Sequence, residues 1–127
     1  MIAITHEEII QYRQYLSENP HALSALDEIE ACEGDLDSAV RVLAINVGMD
    51  IVRADRSLLN SLAIKCRDII CKEEFKDELL PDVLREVVAA LTGYLIATNA
   101  LPVILAAPVA IYVVKVGIRK FCDFSPS

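Results

Sequence analysis

The chain has 127 residues, a net charge of −7 and 54% hydrophobic residues, with no tryptophan. Its length suits one domain with a single core, and its acidity disfavours general binding to nucleic-acid phosphates. The charge is uneven, because residues 1–86 hold 18 acids and 9 bases, whereas residues 87–127 hold one acid and three bases.

The first 48 residues predict three helices. Thr5 and Glu8 fit a capping box, in which the threonine starts the first helix and the glutamate lies three residues later. Asn19 can cap the second helix, and Pro20 after it is tolerated at the first helical position. We expect this second helix to end near Cys32.

The third helix has the clearest amphipathic pattern in the chain. Gly34 is typical of the residue that ends a helix in a left-handed conformation, Asp35 can cap the helix that follows, and Gly48 closes it. The apolar positions that we expect to be buried recur at helical spacing. They are Leu36, Ala39, Val40, Leu43, Ala44 and Val47.

The second half of the chain predicts further helices and no strands. A fourth helix is expected from Ser57, a fifth from Pro81, and a sixth from Pro102 or Pro108 to about Phe121. The predicted fold class is therefore all-α: a compact bundle of five to six helices with an apolar C-terminal helical hairpin. We expect one domain over residues 1–127, formed by the three-helix portion 1–48 and the C-terminal helices 57–122.

A stretch of 28 residues, Val87–Val114, contains no charged side chain. Such a run suits a helical core, an interface between copies of the chain, or insertion into a membrane with a turn at 99–102. The core interpretation is favoured, because each N-terminal helix has an apolar stripe that needs a partner surface. We expect the fifth helix, apolar on nearly every side after Val87, to lie at the centre.

The four cysteines are Cys32, Cys66, Cys71 and Cys122, and no two are spaced as Cys-x-x-Cys. Their spacings do not suit a zinc site, so we expect no metal and no cofactor. The first residues turn acidic at once and have no secretory signal pattern. We therefore expect a cytoplasmic protein whose cysteines are free thiols in the core.

Residues 20–46 resemble the last two helices of ubiquitin-associated (UBA-like) modules. The similarity is carried by a helix, the pair Gly34 and Asp35, and a following helix with apolar residues at 36, 39, 40 and 43. The resemblance implies three packed helices with a surface for protein contact. The apolar ubiquitin-binding loop of that family corresponds here to the polar residues 17–20, so the resemblance does not imply ubiquitin binding.

Six acidic residues occur between positions 27 and 37 without an intervening base. They are Asp27, Glu28, Glu30, Glu33, Asp35 and Asp37. Their spacing lacks the glutamate at the twelfth position of a calcium loop. A solvated helix face explains the cluster most simply, and a docking patch for a basic partner is the functional alternative.

Known catalytic motifs are missing from the sequence, so we expect no catalytic residues and no enzyme activity. A helix-turn-helix regulator is also considered, but its recognition helix would begin with two aspartates and offer only Arg41 as a base. The predicted function is a non-enzymatic protein–protein interaction or adaptor module, with homo-oligomers among its possible forms. The alternative is a protein anchored in a membrane by the apolar C-terminal hairpin.

Overall fold

A computed structural model describes residues 3–49, 58–71 and 81–124, without the side chains of 81–86, 119 and 124. This part of the chain forms eight helices and one isolated antiparallel bridge between residues 3 and 35, which confirms the all-α fold class. The helices are α1 (His6–Tyr15), α2 (Pro20–Ala31), α3 (Leu36–Asn46), α4 (Leu58–Lys65), α5 (Arg67–Ile70), α6 (Pro81–Ala97), α7 (Val103–Val116) and α8 (Ile118–Phe124).

Side chains close in sequence determine where α1 and α2 begin. The Thr5 hydroxyl accepts a hydrogen bond from Glu8 N, and the Glu8 carboxylate accepts one from Thr5 N, so the predicted capping box is confirmed. Asn19 caps α2 by accepting from Ala22 N, and Pro20 is the first helical residue. These bonds satisfy amide groups that have no partner inside their helix.

The turn between α2 and α3 also follows its prediction. Gly34 has a φ of 84°, in the left-handed region that glycine tolerates best. Its carbonyl accepts a hydrogen bond of 2.8 Å from Ile4 N, which ties the N-terminal segment to the turn. The carboxylate of Asp35 then caps α3 by accepting from Ser38 N.

The predicted fourth helix is two helices in the structure. A turn at Cys66 separates α4 from the four-residue α5, and the predicted cap Ser57 lies outside the described residues. The predicted start of the next long helix at Pro81 is confirmed. The predicted sixth helix begins at 103, directly after Pro102.

For α7, the predicted sixth helix, the structure decides between the two predicted starts and corrects the predicted end. Pro108 lies inside α7 and does not begin it. Its ring removes one backbone hydrogen bond from α7, at a position that is buried inside the bundle. The helix also ends earlier than predicted, since Gly117, with a φ of 102°, separates α7 from α8.

The centre of the bundle is α7, which corrects the expectation that the fifth predicted helix is central. It packs against α2, α3, α4, α6 and α8. Every residue from Leu105 to Ile111 is buried, so the helix has no solvent-facing side over two turns. The three alanines in this segment have small side chains, which suits a helix packed by neighbours on several sides.

Helix α6 lies beside α7 and is only partly enclosed. Val88, Leu91 and Leu95 are fully buried, whereas Tyr94 remains 39% exposed. The hydroxyl of Thr92, also buried, donates to the carbonyl of Val88 at 2.7 Å and is thereby satisfied. Within the described residues, neither α6 nor any other helix combines the length and the apolarity needed to cross a bilayer.

Candidate interaction face

The acidic cluster predicted from sequence lies on α2 and at the start of α3, where part of its charge is neutralised within the protein. Arg13 on α1 donates from Nη1 to Asp27 at 2.8 Å and from Nη2 to Glu30 at 2.7 Å. The hydrogen bond to Asp27, together with that to Glu30, raises the pKa of Arg13 against the opposing effect of burial. Sequence spacing does not predict these two ion pairs, because Arg13 lies on a different helix from Asp27 and Glu30.

The other four carboxylates have different positions. Glu28 accepts a hydrogen bond of 3.5 Å from the Cys32 thiol, and Asp35 caps α3. Glu33 lies in the turn after α2 with a φ of 57°. Asp37 occupies the first turn of α3, where the helix dipole favours a negative charge. Four of the six carboxylates therefore accept hydrogen bonds within the protein, namely Asp27, Glu28, Glu30 and Asp35, and the docking patch for a basic partner stays a prediction.

The cysteines contradict the expectation of four free thiols. Cys71 and Cys122 form a disulfide, with their Cα atoms 5.8 Å apart, whereas Cys32 and Cys66 are free. The bridged residues are 51 positions apart in sequence and meet because α8 packs on α5. The spacing of cysteines in the sequence does not indicate a pair so far apart, and the expected cytoplasmic location predicted free thiols.

The two free thiols are poor candidates for a nucleophile. Burial raises the pKa of Cys66, and burial together with the hydrogen bond to Glu28 raises the pKa of Cys32. Both thiols are therefore protonated at neutral pH, whereas a reactive cysteine needs its thiolate form. In the ranges that the structure describes, no three or more His, Cys, Asp or Glu side chains come together in a way that could hold a metal ion.

The most exposed apolar side chains of α3 lie on its C-terminal half. Ile45 is 61% exposed, Val47 at the C-cap is 45% exposed, and Val42 is 37% exposed. Val42 and Ile45 are three positions apart and therefore neighbours on one side of the helix. From residue 42 to residue 49 the chain has no charged side chain.

A groove of about 330 Å³ opens beside these residues, between the start of α2, the end of α3 and the start of α7. Its lining is apolar except for two polar side chains, His21 and Asn46. The lining residues are His21, Leu43, Asn46, Val47, Val103 and Ile104. We call this groove together with Val42 and Ile45 the α3 face.

The α3 face was not predicted from sequence, and one expectation about it was wrong. Val47 was expected on the buried stripe, but it follows the last helical residue and turns outward. Val42 and Ile45 carried a usable signal, since both are large apolar residues placed off the buried stripe of an amphipathic helix. The other residues of the predicted stripe are buried as expected: Leu36, Ala39, Val40, Leu43 and Ala44.

Comparisons of this chain with protein-family models, with curated proteins and with solved structures gave no match. A functional proposal therefore depends on the chemistry of the chain's own residues. The α3 face groups three large exposed apolar side chains, Val42, Ile45 and Val47, beside an apolar groove.

Proposed function

We propose that this chain is a small protein–protein interaction module that associates with a second copy of itself through the α3 face. The observation that carries the proposal is the exposure of Ile45, Val42 and Val47 beside an apolar groove. Removing such side chains from water favours association by roughly 25 cal/mol per Å² of apolar area.

The charge distribution supports a second copy as the occupant. Two chains of net charge −7 repel each other over most of their surfaces. The uncharged stretch 42–49 allows two copies to approach without placing like charges in contact. A nucleic-acid partner would instead require cations, and α3 has a single base, Arg41, against one acid, Asp37.

The shape of the α3 face also suits a symmetric dimer. In a two-fold interface the same patch serves both copies, so a projecting side chain and a recess must occur together on one surface. Ile45 projects, and the groove lined by Leu43, Val103 and Ile104 lies on the neighbouring side of the same helix. The proposed dimer requires each Ile45 to enter the groove of the other copy.

Sedimentation velocity over a wide concentration range tests this proposal. We expect wild-type protein to shift from monomer to dimer with concentration, and Ile45→Lys to stay monomeric. Ile10→Lys is the matched control, because Ile10 is a 45% exposed isoleucine on α1, outside the α3 face. Circular dichroism must show that both variants retain their helices.

A wild-type monomer at every concentration would overturn the proposal, as would equal disruption by both lysine variants. Two further readouts separate other partner classes. Flotation of the monomer with neutral phosphatidylcholine vesicles would favour the membrane-anchored alternative. A salt-dependent shift of duplex DNA would favour the helix-turn-helix regulator, and we expect none.

A further inference from the structure

We propose that α8 is a redox-controlled latch, held closed by the Cys71–Cys122 disulfide and released when a dithiol reduces that bond. The bridge joins the C-cap of α5 to the last turn of α8. None of these residues belongs to the α3 face, so the latch is independent of the proposed self-association.

Helix α8 has little stability of its own. It is seven residues long, about half the length at which an isolated helix becomes marginally stable. Gly117, with a φ of 102°, interrupts the backbone before it, so α8 does not continue the rigid helix α7. The glycine has no side chain to restrict rotation there, which makes it a suitable pivot.

Contacts of several kinds hold α8 against the described part of the bundle. Ile118 and Phe121 are buried, the disulfide fixes Cys122, and Arg67 Nη2 donates to the carbonyl of Cys122 at 3.0 Å. This carbonyl lies in the last turn of α8, where backbone oxygens have no partner inside the helix. Arg67 therefore caps the C-terminal end of α8 with a positive charge.

The closed arrangement also contains an unfavourable feature. Arg67 Nε is buried and has no hydrogen-bond partner among the described atoms of the protein. A buried donor without a partner costs free energy that hydration would recover. Opening of α8 would let water reach this nitrogen, so the disulfide opposes a tendency of the guanidinium to be rehydrated.

Of the two bridged residues, Cys71 is the more exposed and is therefore the end that a reductant would attack. Cys71 is half-buried at the edge of α5, whereas Cys122 is only 7% exposed. One thiolate of a dithiol attacks the Cys71 sulfur and forms a mixed disulfide, with Cys122 leaving as a thiolate that takes up a proton. The second thiol then displaces Cys71, so the reductant leaves as a disulfide and the protein gains two thiols.

Amide hydrogen exchange of the full chain, oxidised and after treatment with dithiothreitol, tests the latch. Thiol titration must show two free thiols before reduction and four after it. We expect exchange in residues 117–124 to accelerate on the order of ten-fold or more on reduction, since loss of a cross-link promotes local opening. Exchange in the centre of α7, residues 105–111, should change much less.

Variants make the test specific. The double variant Cys71→Ser/Cys122→Ser should show fast α8 exchange with or without reductant. Cys32→Ser is the matched control, because it removes a half-buried free thiol and leaves the bridge, so it should respond to reduction like wild type. Should the double variant not fold, reduced wild-type protein provides the same comparison.

Two results would overturn the latch. One is four free thiols in protein exposed to a thiol oxidant such as diamide, because the bridge would then not form. The other is equal α8 exchange in oxidised and reduced protein whose thiol counts differ as expected. The second result would show that burial of Ile118 and Phe121 holds the helix without the disulfide.

Discussion

The N-terminal helices and α7 owe their helical state to different causes. Thr5, Asn19 and Asp35 each cap a helix through a side-chain hydrogen bond within three residues in sequence. Pro102, which precedes α7, makes no such bond, and Pro108 removes one backbone donor inside the helix. Burial in the bundle therefore stabilises α7, whereas local side-chain hydrogen bonds determine where α1, α2 and α3 begin.

The largest expected effect comes from removing packed volume inside α7. Leu105→Ala should lower the free energy of unfolding by about 2–5 kcal/mol, because Leu105 is fully buried and its truncation leaves a cavity. Urea unfolding followed by circular dichroism measures this change. Ile10→Ala, on the exposed side of α1, is the control and should stay within about 0.5 kcal/mol of wild type. Similar losses for the two variants would contradict burial as the main support of α7.

A second prediction concerns the turn that joins α2 and α3. Gly34→Ala would place its Cβ against the carbonyl oxygen of Ile4 and would also hold a non-glycine residue at a φ of 84°. Gly48→Ala meets a φ of 82° but no neighbouring atom. We expect the Gly48 change to cost about 1–2 kcal/mol, and the Gly34 change about 2–4 kcal/mol once the contact is added. Thermal unfolding of the two variants side by side tests this order.

The difference between local caps in α1–α3 and tertiary burial of α7 also explains which structural features were predictable from sequence. The caps of α1–α3 and the turns at Gly34 and Gly48 depend on residues a few positions apart, so their patterns are visible in the chain. The expectation for the centre of the bundle was wrong, because the uncharged stretch 87–114 covers most of both α6 and α7 and does not distinguish them. Only three-dimensional packing distinguishes the fully enclosed segment 105–111 from the half-exposed α6.

The candidate sites likewise combine features that are visible in the sequence with contacts that only the packing of helices creates. The acidic cluster was visible as a composition feature, but its pairing with Arg13 required the packing of α1 on α2. The Cys71–Cys122 bridge joins residues 51 positions apart and left no trace in local spacing. The α3 face was partly visible, because Val42 and Ile45 are apolar at positions that the amphipathic pattern assigns to solvent.

A third prediction tests the local caps. Asp35→Ala should destabilise the protein by about 1 kcal/mol, within a range of about 0.5–2 kcal/mol, because α3 loses the hydrogen bond that Ser38 N donates to the Asp35 carboxylate. Asp35→Asn keeps a side-chain oxygen that can accept this bond and should cost less. Denaturant unfolding gives both values. Equal losses for alanine and asparagine would show that the charge of Asp35, and not its hydrogen bond, supports α3.

The smallest effect on stability is expected at the contact between α1 and α7. Lys115, in the last turn of α7, donates to both carboxylate oxygens of Glu8 on α1, at 2.8 and 3.1 Å, across 107 positions of sequence. Burial alone would raise the pKa of Glu8, but the hydrogen bonds from Lys115 and Thr5 outweigh it and lower that pKa. The folded state thus holds the Glu8 proton less tightly than the unfolded state does.

The lowered Glu8 pKa determines how the ion pair contributes to stability across pH. The contribution is fully present above the pKa of an unfolded glutamate, and it is lost as the pH falls through the lowered folded pKa. Lys115→Met should therefore reduce stability at neutral pH by less than about 1 kcal/mol and flatten its decline in acid. Lys65→Met, which removes an exposed lysine on α4 outside this ion pair, is the control and should leave the acid limb as in wild type. Parallel acid limbs for wild type and Lys115→Met would show that this contact does not couple α7 to the capped end of α1.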